Sequence, residues 1–112
     1  MGSSKSTVSE KEGIVEIESD EGVTIYVKGS RYIARVASAL ASETRTKILE
    51  LLIEGPRDLD DLATELKQSK ANISNQIKRL EEIGFVSSYY KAGDRGVRKL
   101  VNLRARKIVF EI

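Results

Sequence analysis

The 112-residue chain contains no cysteine and no histidine. Disulfides, thiolate or imidazole metal sites, cysteine nucleophiles and histidine general bases are therefore excluded. Most hydrolase and metal-sensor chemistries go with them. No apolar run approaches the roughly 20 residues of a membrane-spanning helix. Serine, lysine and aspartate are present, but no nucleophile motif or phosphate-binding loop accompanies them. No enzymatic activity and no cofactor are expected. The lack of cysteine, together with 32% charged residues, suits a reducing cytoplasm.

What is present fits one domain with a modest core, since the hydrophobic fraction of 40% is ordinary for a globular protein. The net charge is only +2, but it is unevenly distributed. Met1 to Ser30 holds three lysines against six acidic residues, whereas Lys67 to Lys107 holds eleven Lys/Arg against three Asp/Glu. A basic region beside an acidic remainder is the electrostatic footprint of a nucleic-acid face; the bland alternative is a solvated basic surface.

The basic region begins inside RDLDDLATELKQSKANISNQIKRLEEIG, Arg57 to Gly84, which reads as two short helices joined by a turn. Asp58 can cap the first helix, and Asp60 and Asp61 add negative charge at the positive end of its dipole. Leu59, Leu62, Ala63 and Leu66 then share one face. Ser69 offers a second N-cap, and Ile73, Ile77, Leu80 and Ile83 recur at the helical period until Gly84 can supply a left-handed stop. At about 100° per residue, Ala71, Ser74, Asn75 and Lys78 point away from that stripe, flanked by Asn72 and Arg79. Small residues, amides and cations on a slim face are what a helix lying in the major groove requires, although a solvated helix can carry the same residue types. Asp58, Asp60, Asp61 and Glu65 could also gather a hard cation, but capping and dipole compensation already explain the aspartates. No metal is expected.

Residues 1–12 are polar and aperiodic, and read as a disordered tail. Gly2 and Ser6 have the spacing of a myristoylation signal, yet a single acyl chain beside only Lys5 and Lys11 holds weakly, so no membrane association is expected. Residues 13–30 read as a β-hairpin, with strands Ile14 to Glu18 and Val23 to Lys28 about Ser19-Asp20-Glu21-Gly22. Val23, Ile25 and Val27 share one of its faces. Arg31 to Leu40 has helical spacing through Tyr32, Ile33, Val36, Ala37 and Leu40. Arg45 to Glu54, capped by Ser42 or Thr44, carries Ile48, Leu49, Leu51, Leu52 and Ile53, an apolar face wide enough to predict burial on two sides. Beyond Gly84, Phe85 to Lys91 and Val97 to Leu103 are strand-like around a tip at Ala92 to Gly96. Lys91, Arg95, Arg98 and Lys99 cluster there, placed to meet a DNA backbone or minor groove, unless they only guard a solvated edge. Residues 104–112 end in a β-rich run, Ile108 to Ile112. Pairing with the N-terminal hairpin, within a subunit or across a dimer, would satisfy both.

The order helix, core helix, helix-turn-helix and two-stranded wing resembles the winged-helix domain of ArsR-type transcriptional regulators, particularly archaeal ones, over Ala41 to Leu103. ALASETRTKILELL (Ala39 to Leu52), SKANISNQIKRLEEIGFV (Ser69 to Val86) and YYKAGDRGVRKLVNL (Tyr89 to Leu103) carry the resemblance. It implies an α+β fold, with a winged helix-turn-helix domain at residues 31–103 and the N-terminal hairpin and C-terminal strand as additions. Carried over by position, Ser69, Lys70, Ala71 and Asn72 would sit at the groove-entering end of the recognition helix. Ser74, Asn75 and Gln76 would lie near bases or phosphates, Lys78 and Arg79 near the backbone, and Arg95 at the wing tip. The resemblance further implies a homodimer on an inverted repeat of double-stranded DNA.

Four departures from the family pattern stand out. Lys67 occupies a turn position that is often glycine, so either a lysine takes positive φ or the turn differs. Gln68 replaces an apolar turn residue. The metal-binding cysteines and the long C-terminal dimer helix are missing, and any small-molecule effector is unknown. The sequence thus points to a sequence-specific DNA-binding transcriptional regulator, with a repressor expected from so small a chain. A winged helix used for protein interaction, or a chromatin-type binder without sequence preference, are the alternatives.

Overall fold

The computed structural model describes residues 12–112; the expected tail up to residue 11, with its Gly2 and Ser6 pattern, lies outside them. Two compact units divide the chain, one formed by the residues before Ala39 with Ala105–Ile112, the other by Ala39–Arg104.

In the first unit, β1 (Gly13–Ser19) and β2 (Gly22–Lys28) form the expected antiparallel hairpin. The Ser19 hydroxyl closes its turn, accepting the Glu21 N–H at 3.2 Å and donating to the Gly22 carbonyl at 3.3 Å. β6 (Ala105–Glu111) then adds parallel to β2, giving the order β1-β2-β6. The hairpin and the terminal run therefore close within one chain. As the central strand, β2 buries Val23, Ile25 and Val27 on one face. The other face keeps Val15, Ile17 and Tyr26 substantially exposed. Gly29 ends β2 at φ +99°, a left-handed conformation that side chains rarely adopt, and the Glu12 side chain lies where a Cβ would project. Helix α1 (Ser30–Leu40) follows and runs into the second unit at Ala39; Val36 is buried, and Ala37, expected on its apolar stripe, is exposed.

The second unit holds α2 (Glu43–Leu52), a two-residue strand β3 (Arg57–Asp58), α3 (Leu59–Leu66), α4 (Lys70–Ile83), β4 (Val86–Gly93) and β5 (Gly96–Leu103). Its sheet runs β3-β5-β4, and all pairs are antiparallel. Ser42 caps α2 by accepting the Arg45 N–H at 3.2 Å. The expected two-sided burial of this helix does not occur. Ile48 and Leu52 are buried at the helical spacing, Leu49 and Leu51 are half-buried, and Ile53, beyond the last turn, is 53% exposed. One face of α2 is thus core and the other is solvated. The core is completed by Leu62 and Ala63 of α3, by Ile73, Ile77, Leu80 and Ile83 of α4, and by Phe85, Val86 and Val101. Phe85, expected to open a strand, instead donates its N–H to the Leu80 carbonyl as part of the α4 terminus. Burying an aliphatic or phenyl side chain of this size stabilises by about 1.5 to 3 kcal/mol, so these residues hold the two helices and the wing together.

Candidate nucleic-acid interface

Local chemistry sets the ends of both helices. The Asp58 carboxylate accepts the Asp61 N–H at 2.7 Å, and the Ser69 hydroxyl accepts the Asn72 N–H at 3.1 Å. At the end of α3, Lys67 adopts φ 56° and ψ 45°. Its N–H reaches Thr64 O at 3.2 Å while that of Gln68 reaches Ala63 O at 3.0 Å. These bonds satisfy carbonyls that the helix end would leave orphaned. The turn therefore keeps the left-handed geometry that glycine serves elsewhere, and a lysine bears a cost of about 1 kcal/mol. Gly84 stops α4 in the same manner at φ 95°, at no such cost.

Along α4, Ala71, Asn75, Lys78 and Arg79 are exposed and Ser74 is half-buried, as the helical period predicts. Lys70, in the first turn, pairs with Asp60 at 2.9 Å, and both side chains are well exposed. Asn72 and Gln76 sit differently. They belong to a series of side-chain bonds in which Gln68 Nε2 donates to Thr44 Oγ1 (3.0 Å), Asn72 Nδ2 to Gln68 Oε1, Gln76 Nε2 to Asn72 Oδ1 (3.3 Å) and Arg45 Nη1 to Gln76 Oε1 (2.6 Å). Gln68, which the family pattern would have apolar, is a rung of this ladder. Arg45 also lines, with Asn75, Gln76, Lys78, Arg79 and Glu82, an open hollow of about 310 Å³. Nothing in the helical spacing marked Arg45; its signals were its place in the first turn of a helix expected to pack near the pair and its place within ALASETRTKILELL, a segment that carries the resemblance.

The wing is β4 and β5, joined at Gly93 and Gly96 through Asp94 and Arg95, a two-residue tip shorter than the expected one. Lys91 and Arg95 are exposed, and Lys99 is half-buried. Arg98 is engaged elsewhere. Its Nε donates to Asp58 Oδ2 at 2.9 Å and its Nη2 donates to the same oxygen. Asp58 is 8% exposed. The Asp61 backbone N–H lowers its pKa most, burial opposes that, and Arg98 lowers it further. Asp58 in turn raises the pKa of Arg98. One carboxylate thus caps α3 with one oxygen and ties β5 to that cap with the other. At the base of the wing, Arg104 Nη1 donates to the Gly84 carbonyl at 2.8 Å. Tyr90 and Val97, each 69% exposed, are an apolar pair on the wing that sequence reasoning did not single out. With Lys70 and Lys99 they line a second hollow.

A helix-turn-helix followed by a two-stranded wing defines a winged helix-turn-helix protein. The sequence profile described as "Bacterial regulatory protein, arsR family" matches residues 42–88. A possible transcriptional regulatory protein from Mycobacterium bovis (fragment 1–100) is 30% identical, with a TM-score of 0.54, covering 63% of this chain and 72% of that one. A solution structure of a homodimeric winged helix-turn-helix DNA-binding domain from the same organism, described as a possible ArsR-family transcriptional regulator, is 28% identical, with a TM-score of 0.56 over 63% of this chain and 62% of that one. HlyU from Vibrio cholerae, at 22% identity and a TM-score of 0.57 over 65% and 75%, shares the fold. No curated protein matches the sequence. The chain belongs to the ArsR family of winged helix-turn-helix, DNA-binding transcriptional regulators, and is not an enzyme. Among the described residues no helix is long and apolar enough to cross a membrane.

Proposed function

We propose that this protein is a sequence-specific regulator that lays α4 in the major groove of duplex DNA and sets its wing on the adjacent backbone or minor groove. The observation carrying this reading is the outer face of α4, where Ala71, Asn75 and Lys78 are exposed beside half-buried Ser74. An amide and a cation on a slim ridge can pair with base edges and phosphates. Ser69, Lys70 and Asn72 stand at its leading end, and Arg79, Lys91, Arg95 and Lys99 are the candidate backbone contacts. Repression is the expected sign of regulation.

The homodimeric state of the M. bovis domain supports a two-fold arrangement here, each copy supplying one recognition helix to a half-site. Random-oligonucleotide selection with the purified full chain tests the reading. An enriched inverted repeat is the expected result, and enrichment of no motif contradicts it.

One observation favours a second reading, in which the wing docks another protein: the exposed pair Tyr90 and Val97. Replacing both by serine should then leave duplex affinity intact. A loss of duplex affinity instead assigns the pair to packing against the sugar edges of the groove.

A further inference from the structure

We propose that Arg45, a residue of α2 and not of the recognition helix, determines which base α4 prefers by fixing the orientation of its amides. This rests on the reading of α4 as the DNA-reading helix. The Arg45 guanidinium is held in two directions, with Nε donating to the Ala39 carbonyl at 2.6 Å and Nη1 to Gln76 Oε1 at 2.6 Å. Guanidinium has donors and no acceptor. Gln76 must therefore turn its oxygen toward Arg45 and its nitrogen away. That nitrogen donates to Asn72 Oδ1 at 3.3 Å, which commits the Asn72 nitrogen to Gln68 Oε1 and the Gln68 nitrogen to Thr44 Oγ1 at 3.0 Å. A donor-only group at one end thus sets the sense of three carboxamides in series.

The consequence is chemical. A solvated carboxamide interchanges donor and acceptor by a half-turn about its last bond, so it can meet either pattern on a base edge. In the ladder that half-turn would set nitrogen against guanidinium. Asn72 is exposed at the leading end of α4, so its remaining N–H and lone pair face outward in one fixed order. A fixed order discriminates between base pairs whose major-groove edges differ in that order. Arg45 acts through Gln76 and Asn72 and is a positioning residue.

Arg45→Gln removes the donor-only end, because a glutamine can donate or accept there; Arg45→Lys keeps a donor-only group. Two readouts are needed, each on the full chain. In the free protein, ¹⁵N relaxation of the side-chain amides should show Asn72 and Gln76 ordered in the wild type and in Arg45→Lys, but mobile in Arg45→Gln. In random-oligonucleotide selection, Arg45→Gln should lose discrimination at one position of each half-site by about tenfold or more, while Arg45→Lys retains the wild-type motif. The slope of log affinity against log salt should be the same for all three.

An unchanged motif in Arg45→Gln overturns the proposal. So does a slope reduced by about 1 with the motif unchanged, which would make Arg45 a phosphate contact. A uniform loss on all duplexes with a lowered melting temperature also overturns it, in favour of a purely structural role. If the wild type itself enriches no motif, the sequence-specific reading fails and this inference with it.

Discussion

Removal of the Asp58 carboxylate tests the junction between helix-turn-helix and wing. The side chain is 8% exposed and one oxygen accepts the Asp61 N–H at 2.7 Å. Losing an N-cap costs about 0.5 to 2 kcal/mol. Burial and the simultaneous loss of the Arg98 bonds place Asp58→Ala at the upper end, about 2 kcal/mol, which corresponds to a fall in Tm of roughly 5 to 10 °C. Asp58→Asn keeps an oxygen for the cap but no charge for Arg98, and should fall between the two. Acid supplies the second arm. Because the folded pKa lies below the ordinary 3.8, the stabilisation is fully present above that value and is lost as pH falls through the lowered folded pKa. Thermal unfolding followed by circular dichroism should therefore show a gap between wild type and Asp58→Asn that is constant from pH 7 to about pH 5 and closes under stronger acid. A gap that persists undiminished in acid, or an Asp58→Ala variant as stable as the wild type, refutes the reasoning.

Lys67→Gly should raise stability by about 1 kcal/mol in urea denaturation, since glycine removes the left-handed strain at φ 56°; a destabilised variant would show that the lysine stem contributes packing. Asn75→Ala should cost about 1 to 3 kcal/mol on the selected duplex and little on random DNA, and an equal loss on both would move Asn75 to a backbone role. Arg95→Ala should lower the salt slope by about 1, whereas Arg98→Ala, whose guanidinium is held by Asp58, should leave the slope unchanged. The reverse pattern in binding titrations would exchange their roles.

The features legible in the sequence are those that local chemistry decides. Asp58, Ser69 and Gly84 cap or stop their helices because a short oxygen side chain or a missing Cβ acts within three or four residues. The apolar periods of α4 and β2 matched their burial for the same reason. Illegible were the pairings made across the chain. Strand β3 exists because Arg57 and Asp58 pair with Val101 and Leu100, and two residues carry no periodicity. The parallel register of β2 on β6 depends on a partner some eighty residues on, so sequence reasoning left open whether the two runs met in one subunit. Among the candidate site residues, the sequence presents the wing cluster as four similar cations, yet Arg98 finds Asp58 forty positions away. Arg45 and Gln76 are separated by thirty-one. Both pairs are fixed by tertiary packing, which no spacing rule contains. The breadth of apolar residues in α2 overstated its burial, because Ile53 lies past the last turn and is solvated.

The central claim is that α4 reads base edges from the major groove. Single 7-deazapurine substitutions along the selected duplex remove the N7 acceptor, which is exposed only in that groove, and leave the minor-groove edges untouched. Binding titrations across such a series should show two clusters of weakened positions about one helical turn apart, one for each half-site. Uniform affinity across the series would contradict the account, since no major-groove acceptor would then be in use.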